Sequence, residues 1–201
     1  MLILGINGSS QQEGNSANLL DLGLEEAGKM GAETRMIYVQ KVLEEMERPY
    51  CTVCEPQCPG ECYKGRQLGE VFQLMERCDG ILLASPVYFG TVTAQLKGFW
   101  DMSRKLRKKK ALLNTVGGAI AVGGARFGGQ ETTIRALQDM MLIQGMMVVG
   151  DGHHTADSGH QGACAQKPAL EDEFGLSRVK ILARRIVEVA SVTGSLRNPG
   201  S

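Results

Sequence analysis

Short apolar runs alternate with stretches of helical periodicity along almost the whole chain, and this alternation constrains the fold most. Strands that are buried on both faces read as continuous apolar runs, and helices between consecutive strands make those strands parallel. The pattern therefore predicts an α/β fold, a doubly wound parallel sheet of five strands with helices on both faces. We place the strands at 2–6, 34–39, 80–84, 116–122 and 146–149, and the helices at 16–30, 66–77, 92–106, 131–143 and 175–193.

Length and charge limit the kinds of protein that this chain can be. Its 201 residues suit a single domain over 1–201, and 43% hydrophobic with 22% charged residues exclude disordered and fibrous chains. The 22 basic and 22 acidic residues cancel, so the chain lacks the charge that draws general nucleic-acid or membrane-surface binders. No apolar run approaches the ~18 residues of a membrane span, and residues 1–6 lack the basic leader of a signal peptide. We therefore expect a cytoplasmic protein with neither nucleic-acid nor membrane partners.

The loop after the first predicted strand, residues 8–16, is rich in hydrogen-bond donors and leads directly into a helix. It contains Ser9, Ser10, Asn15 and Ser16. Backbone N–H groups at a helix N-terminus favour a phosphate. Because the loop has no lysine and no Gly-x-Gly-x-x-Gly pattern, it is neither a triphosphate P-loop nor a classical dinucleotide site. It suits a phosphomonoester held by neutral donors, although an ordinary strand–helix turn capped by Asn15 or Ser16 explains it equally well.

The loops after the third and fourth predicted strands suit a planar ring. Pro86 stiffens the first of them, and Tyr88 with Phe89 places aromatic surface there, either for a ligand ring or for a subunit contact. Because ligands of such sheets sit beyond the carboxyl ends of the strands, we expect the three loops to converge on one phosphate-bearing ring compound. Six glycines in the fourth strand and its loop let the backbone approach a flat ligand closely: Gly117, Gly118, Gly123, Gly124, Gly128 and Gly129.

Three motifs in these loops resemble the NADPH-dependent FMN reductase superfamily. They are Gly-Ser-Ser-x4-Asn-Ser at 8–16, Ser-Pro-Val-Tyr-Phe-Gly at 85–90 and Gly-Gly-Gln-Glu-Thr-Thr at 128–133. Within the superfamily the chain is most similar to iron–sulfur flavoproteins and to the related tryptophan-repressor-binding-protein-like quinone reductases. The resemblance implies a flavodoxin-like fold with FMN as cofactor, and it extends from the first strand to about residue 163.

The resemblance also implies which residues bind FMN. Two residues depart from the family: Gln11 stands in the phosphate loop where many relatives carry arginine, and Gln144 stands where quinone-reducing relatives often carry histidine. The predicted phosphate-binding residues are Ser9, Ser10, Gln11, Asn15 and Ser16. The predicted lining of the ring and ribityl chain is Pro86, Val87, Tyr88, Phe89 and Gly90, with Gly123 and Gly124 near the ring edge.

Four cysteines fall within residues 51–62, at spacings of two, three and three intervening residues. Disulfides are uncommon in cytosolic proteins, and structural zinc usually uses two Cys-x2-Cys pairs separated by a dozen or more residues. A compact run of four thiols is typical of a loop that wraps a [4Fe–4S] cluster. Iron–sulfur flavoproteins place a compact cysteine motif here, although with the shorter x2 spacings. We therefore predict a [4Fe–4S] cluster, with zinc or free redox-active thiols as alternatives, on Cys51, Cys54, Cys58 and Cys62.

Three further signals receive structural interpretations. The basic run 104–110, with six positive charges in seven residues, is interpreted as a solvated helix end rather than a site for an acidic partner or a nucleotide phosphate. Cys78 suits a small core residue, and Cys164 suits an exposed loop position. The loop histidines after the last strand are interpreted as solvated rather than metal-binding: His153, His154 and His160.

The predicted function is that of an FMN-dependent oxidoreductase or electron-transfer flavoprotein. It would exchange electrons between FMN and the cluster or reduce a small acceptor, with NAD(P)H, a ferredoxin or a quinone as redox partner. The alternatives are an NAD(P)H-dependent FMN or quinone reductase without a cluster, a non-catalytic flavodoxin-like carrier, and a flavin-free redox sensor or zinc-stabilised protein. No hydrolytic constellation emerges, so the chemistry would belong to the cofactor. We also expect a homo-oligomer, either a dimer or a tetramer.

Overall fold

The computed structural model describes residues 1–197, so the last four residues of the predicted 1–201 domain lie outside the described part. None of the helices in that part is both long and apolar enough to cross a membrane. The strands are β1 (Leu2–Asn7), β2 (Glu33–Tyr38), β3 (Gly80–Pro86), β4 (Val116–Gly123), β5 (Met147–Val148) and β6 (Ala163–Gln166). The α-helices are α1 (Asn15–Lys29), α2 (Val39–Glu44), α3 (Gln67–Arg77), α4 (Ala94–Met102), α5 (Arg104–Lys109), α6 (Gln130–Leu142) and α7 (Glu173–Arg197).

The strands form one parallel sheet in the order β2-β1-β3-β4-β5, with β6 also paired to β4. β3 and β4 are buried along their whole length, which explains their continuous apolar sequences. Their register pairs Gly80 with Val116 and Pro86 with Val122. The predicted doubly wound parallel sheet is therefore confirmed. The loops after β1, β3 and β4 leave the sheet at the carboxyl ends of these strands, and we call this end of the sheet the binding edge.

Two hydrophobic cores cover the two faces of the sheet. Helices α1 and α7 bury one face through side chains such as Leu20 and Leu182, which are fully buried. Helices α2, α3, α4 and α6 bury the other face, where Phe99 and Leu137 are fully buried. Complete burial of each such side chain stabilises the fold by about 1.5–3 kcal/mol relative to exposure. This arrangement confirms the predicted helices on both faces.

The fifth position of the sheet is shared by two short strands. β5 pairs with the first two residues of β4, and β6 pairs with the last four. Between them the chain leaves the sheet over residues 149–162, which we call the insertion. The single predicted strand at 146–149 is therefore only the first half of this position. The apolar pattern does not indicate the second half, because its sequence, Ala-Cys-Ala-Gln, is short and carries no large apolar side chain.

The predicted helix at 92–106 is instead two helices. α4 ends at Met102 and α5 begins at Arg104. Ser103 donates both its backbone N–H and its hydroxyl to the Trp100 carbonyl, at 3.1 and 2.6 Å, and this closes a tight turn. The basic run consequently forms a short helix of its own instead of the end of α4. A further helix, α2, covers residues for which no helix is predicted.

Candidate functional site

One buried hydroxyl joins the loops after β1 and β3. Thr93 is fully buried, and its Oγ1 donates to the Gly8 carbonyl at 2.6 Å. Its backbone N–H donates to Ser85 Oγ at 3.2 Å, and its Oγ1 accepts the Leu96 N–H as the N-cap of α4. These two loops therefore meet, as expected from the topology. Sequence reasoning missed Thr93 as a site residue, although a threonine three residues before a helical N–H is a usual N-cap signal.

The phosphate loop, residues 8–16, is shaped by its own side chains. The Ser9 N–H donates to Asn7 Oδ1 at 3.0 Å, and Ser9 Oγ accepts the Gln11 N–H at 3.1 Å. α1 follows with Gly14 as its N-cap and no side chain capping it, and its first turn holds no acidic residue. The N-terminal donors of α1 thus face no competing side-chain cap, so the loop fits an anion such as the FMN phosphate.

Asn15 fixes the phosphate loop to the connection between β6 and α7. Its Oδ1 accepts the Ala169 N–H at 2.7 Å, so only its amide group can still donate to a phosphate. The five predicted phosphate-binding residues differ in exposure: Ser9 and Ser16 are buried, Ser10 and Asn15 are half-buried, and Gln11 is exposed.

The loop after β3 closes in a tight turn that exposes two aromatic side chains. Tyr88 and Thr91 exchange backbone hydrogen bonds of 2.9 and 3.1 Å, and Phe89 and Gly90 between them have φ of +51° and +79°. Phe89 is fully exposed and Tyr88 is 44% exposed. A non-glycine residue in the left-handed region is strained, so the turn holds Phe89 in this conformation against a local preference. Thr132 of α6 donates to the Gly90 carbonyl at 2.8 Å and fixes this aromatic turn to the next loop.

Pro86 and Val87 connect the aromatic turn to the sheet. Pro86 is the buried last residue of β3, and the Val87 N–H donates to the Val122 carbonyl of β4 at 2.9 Å. A Cβ added at Gly129 would lie only 3.1 Å from Val87 Cγ1. The loops after β3 and β4 therefore touch, and all three predicted loops converge at the binding edge.

The two glycines predicted at the ring edge have different surroundings. A Cβ on Gly123 would overlap the Gln130 side chain, whereas a Cβ on Gly124 would meet nothing within 4 Å. Buried Gln130 holds this glycine loop together, because its Nε2 donates to the Ala125 carbonyl at 2.6 Å and its Oε1 accepts the Gly128 N–H at 2.9 Å. Gly123 is thus required for packing, and Gly124 faces open space that a ligand can occupy. Sequence reasoning missed the role of Gln130, since a glutamine at a helix start is not distinctive by itself.

A cleft of about 850 Å³ opens beside the glycine loop. Its walls come from the start of α6 and from the connection between β6 and α7, and they include the cationic side chains Arg126 and Lys167. Phe127 and Phe174 add exposed aromatic surface. The cleft contains no residue of the phosphate loop or of the aromatic turn, and sequence reasoning missed it. Three acidic side chains also line the cleft, so its lining combines aromatic surface with charges of both signs.

The cysteine loop, residues 51–62, lies outside the sheet between α2 and α3. The Val53 N–H donates to Cys51 Sγ at 3.4 Å, and Val53 has a left-handed backbone with φ of +52°. A β-branched residue adopts this conformation only where its surroundings enforce it. The segment is therefore held in a shape that gives the Cys51 sulfur a hydrogen-bond donor, a feature that suits a cluster ligand.

The spacing of the thiols distinguishes between candidate metals. In the described part of the chain, no three of the four Sγ atoms lie within 4.8 Å of one another. A tetrahedral zinc ion with Zn–S bonds of about 2.3 Å would hold its sulfurs ~3.8 Å apart. The four thiols are therefore not arranged as a closed zinc site. Burial, and then the charges of the three other thiols, raises the pKa of the Cys62 thiol. The thiols are all free, with Cys51 and Cys58 half-buried and Cys54 and Cys62 exposed.

The basic run lies against the cysteine loop, and its interpretation as a solvated helix end is wrong for Arg104 and Lys105, which are half-buried. Lys105 Nζ donates to the Pro59 carbonyl at 2.7 Å, and Lys108 Nζ contacts the Gln57 side chain. The sequence pattern could not show this, because the contacting residues are 46 to 53 positions apart.

The two remaining cysteines lie outside this loop, one buried and one half-buried. Cys78 is fully buried, which confirms its predicted core position, and burial raises the pKa of its thiol to about 12. Cys164 lies in β6 and is half-buried, and burial raises the pKa of its thiol to about 11. The expected exposed loop position of Cys164 is therefore wrong, because the chain returns to the sheet there. Both thiols are protonated near neutral pH, so neither is suited to act as a nucleophile.

One histidine of the insertion is held by a carboxylate. His153 Nε2 lies 2.8 and 3.0 Å from the two Glu188 oxygens, and these two residues with His154 are the only group of three potential metal ligands within 4.8 Å in residues 1–197. However, His153 Nδ1 accepts the Thr155 N–H at 3.2 Å, which leaves the proton of a neutral ring on Nε2. The contact is a hydrogen bond that ties the insertion to α7. The solvated interpretation is therefore wrong for His153, whose side chain is 8% exposed, and it holds for exposed His154 and His160.

These features together define a class of protein. A parallel sheet of this order, with a donor-rich loop before α1, an aromatic turn and a glycine loop at one edge, is that of a flavodoxin-like flavoprotein. The family model described as NADPH-dependent FMN reductase matches residues 1–161. The chain belongs to that family and is an FMN-dependent oxidoreductase.

Individual relatives agree with this placement. An iron–sulfur flavoprotein of Methanocaldococcus jannaschii is 39% identical over 96% of this chain and 98% of its own length. Another, of Methanosarcina thermophila, is 38% identical over 94% of this chain and 95% of its own length. Two solved structures at 19% identity share the fold: an NADH:FMN oxidoreductase in its apo form (TM-score 0.69, covering 93% of this chain and 88% of that one) and the Trp repressor binding protein of Bacillus subtilis (TM-score 0.59, covering 90% and 96%). The predicted similarity to iron–sulfur flavoproteins is confirmed.

Proposed function

We propose that this oxidoreductase transfers electrons with FMN and a [4Fe–4S] cluster. The observation that carries the proposal is the cysteine loop, whose four free thiols are more widely spaced than a zinc ion requires and include one sulfur with a backbone donor. The two archaeal relatives that match over nearly their whole length are named iron–sulfur flavoproteins, which supports the same pair of cofactors here. When bound, FMN supplies hydride and one-electron chemistry and the cluster supplies one-electron storage. The cluster ligands would be Cys51, Cys54, Cys58 and Cys62.

The binding edge would hold FMN through neutral donors. The uncapped N-terminus of α1 and the hydroxyls of the phosphate loop would bind the phosphate, and the loop itself contains no cation to share that work. The aromatic turn from Pro86 to Gly90 would line the ring and ribityl chain. Gly124, with nothing within 4 Å of a Cβ, would let the backbone approach the ring edge. The chain thus binds and orients the flavin and leaves the redox chemistry to it.

A reductase without a cluster is the second candidate, and the cleft beside the glycine loop offers it a place for a substrate. Phe127 and Phe174 offer aromatic surface for the ring of a nicotinamide or a quinone, and the charges around them, Arg126 and Lys167 against three acidic residues, have both signs. A protein of Gluconacetobacter diazotrophicus named NAD(P)H dehydrogenase (quinone) is 37% identical over 38% of this chain. This candidate shares the flavin and differs only in what the cysteine loop holds.

Anaerobic purification followed by metal and flavin analysis separates the two candidates. We expect one FMN per chain together with about four iron and four acid-labile sulfide atoms. FMN without iron or sulfide would contradict the cluster and leave the cluster-free reductase. Rapid reduction of the flavin by NADH or NADPH in a stopped-flow experiment would establish direct use of a nicotinamide. Reduction only by a low-potential protein donor would instead indicate an electron carrier.

A matched pair of variants tests the proposed ligands. Cys54→Ala removes an exposed thiol of the loop and is expected to abolish iron and sulfide binding while FMN is retained. Cys164→Ala removes a thiol in β6 and is expected to keep both cofactors. Equal iron content in the two variants would show that the cysteine loop is not the site.

A further inference from the structure

Arg104 of α5 makes three contacts with the cysteine loop. We propose that Arg104 is the positioning residue of this loop, and that its guanidinium holds the loop backbone while its charge, beside Cys51 Sγ, raises the reduction potential of the bound cluster. This inference rests on the proposed function, since it requires a [4Fe–4S] cluster in the loop. It adds a role for a residue that the cysteine motif does not contain.

The contacts of Arg104 span the first half of the loop. Nη1 donates to the Glu55 carbonyl at 3.4 Å, and Nη2 donates to the Pro56 carbonyl at 3.5 Å. Nη1 also lies 4.0 Å from Cys51 Sγ. A planar guanidinium offers several donors in a fixed fork, so one side chain can hold two carbonyls and still face the sulfur. The loop between the first and third cysteines is thereby fixed to α5.

The location of this arginine in its own helix is unfavourable without the loop. α5 begins at Arg104, with Lys105 next to it, and cations in the first turn oppose the positive end of the helix dipole. Both side chains are half-buried and both donate to carbonyls of the cysteine loop. Contacts with the loop therefore compensate for the local electrostatic penalty. A cysteine loop that binds a cluster carries the negative charge that makes such cations favourable.

The effect on the cluster follows from its charge. The reduction potential of an iron–sulfur cluster depends on its net charge, on hydrogen bonds to its sulfurs and on solvent exposure. Reduction adds one electron to an already anionic centre, so a nearby cation stabilises the reduced state more than the oxidised state. Because Arg104 is half-buried, salt screens its charge less than it screens the exposed cations of the same helix.

Arg107 provides a matched control on α5. It is exposed, and its Nη1 contacts the Ile143 carbonyl instead of the cysteine loop. Arg107→Gln and Arg104→Gln remove the same charge from the same helix, three residues apart. Only the second variant removes the donor beside Cys51, so a difference between them reports on the contact rather than on net charge.

The test is a redox titration of the anaerobically purified holoprotein, followed by the electron paramagnetic resonance signal of the reduced cluster. Arg104→Gln is expected to disfavour reduction at least tenfold, a fall of ~59 mV for one electron. Arg104→Lys keeps the charge and is expected to recover most of that shift, while Arg107→Gln is expected to change the equilibrium less than threefold. Loss of iron in Arg104→Gln but not in Arg107→Gln would support the positioning role directly.

Two results would overturn the inference, and they are distinguishable from failure of the proposed function. Equal potentials and equal iron contents in Arg104→Gln and the unmodified protein would remove Arg104 from any role at the cluster. Equal shifts of the reduction potential in Arg104→Gln and Arg107→Gln would show that the effect comes from net charge and not from the contact with Cys51. An unmodified protein that contains no iron or sulfide would instead contradict the proposed function, and the role of Arg104 would fall with it.

Discussion

Individual residues at the binding edge either hold the loops together or leave room for a ligand. Thr93 and Gln130 belong to the first kind, because each is buried and each joins backbone groups from separate segments. Gly124 belongs to the second kind. A buried polar group that loses its partner costs about 1–3 kcal/mol, so changes of the first kind lower stability. Changes of the second kind alter binding instead.

The neighbouring glycines allow this distinction to be tested. Gly123→Ala is expected to lower the free energy of unfolding by about 1–3 kcal/mol, because the added methyl group displaces the Gln130 side chain. Gly124→Ala is expected to change it by less than about 0.5 kcal/mol and to weaken FMN binding. Urea unfolding and fluorescence titration of the flavin-free protein with FMN measure the two effects. Equal losses of stability in the two variants would contradict the difference in packing. Unchanged FMN affinity in Gly124→Ala would show that Gly124 does not lie at the ring edge.

The cysteines are expected to differ in their rates of reaction with a thiol-labelling reagent. In metal-free protein at pH 8, iodoacetamide is expected to label exposed Cys54 rapidly, and to label Cys164 and Cys78 slowly because burial raises their thiol pKa values to about 11 and about 12. Labelling of Cys164 should accelerate about tenfold per pH unit until the pH reaches its pKa. Peptide mass spectrometry measures each rate. A Cys164 that reacts as fast as Cys54 would contradict its place in β6.

Among the elements, the insertion leaves the sheet between β5 and β6 and is held mainly by α7. A buried ion pair anchors it: Arg178 of α7 donates to Asp151 at 2.6 Å, and both side chains are almost completely buried. Arg178 also donates to exposed Asp157 at 2.9 and 3.0 Å. One arginine thus fixes the start and the middle of the insertion to α7.

Removal of the buried carboxylate is expected to be costly. Asp151→Asn leaves the Arg178 charge without its buried partner and should lower the free energy of unfolding by about 3–5 kcal/mol. Asp157→Asn keeps the buried pair and should lower it much less. Urea unfolding of both variants gives the comparison, and similar losses would show that the buried pair is not the anchor.

The exposed carboxylate of Asp157 is expected to contribute to the acid dependence of stability. The hydrogen bond from Arg178 lowers the pKa of Asp157. Its contribution to stability is therefore complete above the ordinary aspartate pKa of about 4 and is lost as the pH falls through the lowered value. The stability of Asp157→Asn should lack this part of the acid dependence, and an unchanged pH profile would contradict the contact.

At the level of the whole molecule, FMN binding and folding are coupled. A ligand present at 100 times its dissociation constant stabilises the native state by about 2.7 kcal/mol, provided that it does not bind the unfolded chain. Thermal unfolding with FMN should show this gain. Riboflavin has the same ring without the phosphate, so it should give much less stabilisation if the uncapped N-terminus of α1 holds the phosphate. Equal stabilisation by the two flavins would contradict the assignment of the phosphate loop.

The sequence predicts features that are local in the chain and misses those that join distant segments. Apolar periodicity is enough for the sheet, because each buried strand carries its own pattern. The convergence of the three loops follows from topology alone. The contact of Arg104 with Pro56, 48 residues away, has no local signature, and neither does the return of the chain into β6. These long-range contacts decide what surrounds the cysteine loop and Cys164.

The shared fifth position of the sheet also bears on how concentrated solutions of this protein behave. With 22 basic and 22 acidic residues the chain has no net charge to keep its copies apart. A long, flat outer strand on such a molecule would present a row of unpaired backbone groups and would template pairing with another sheet. Here that row is broken into two residues of β5 and four of β6, with the insertion between them. The interruption therefore protects this edge against fibrillar growth at the pH where electrostatic repulsion is weakest.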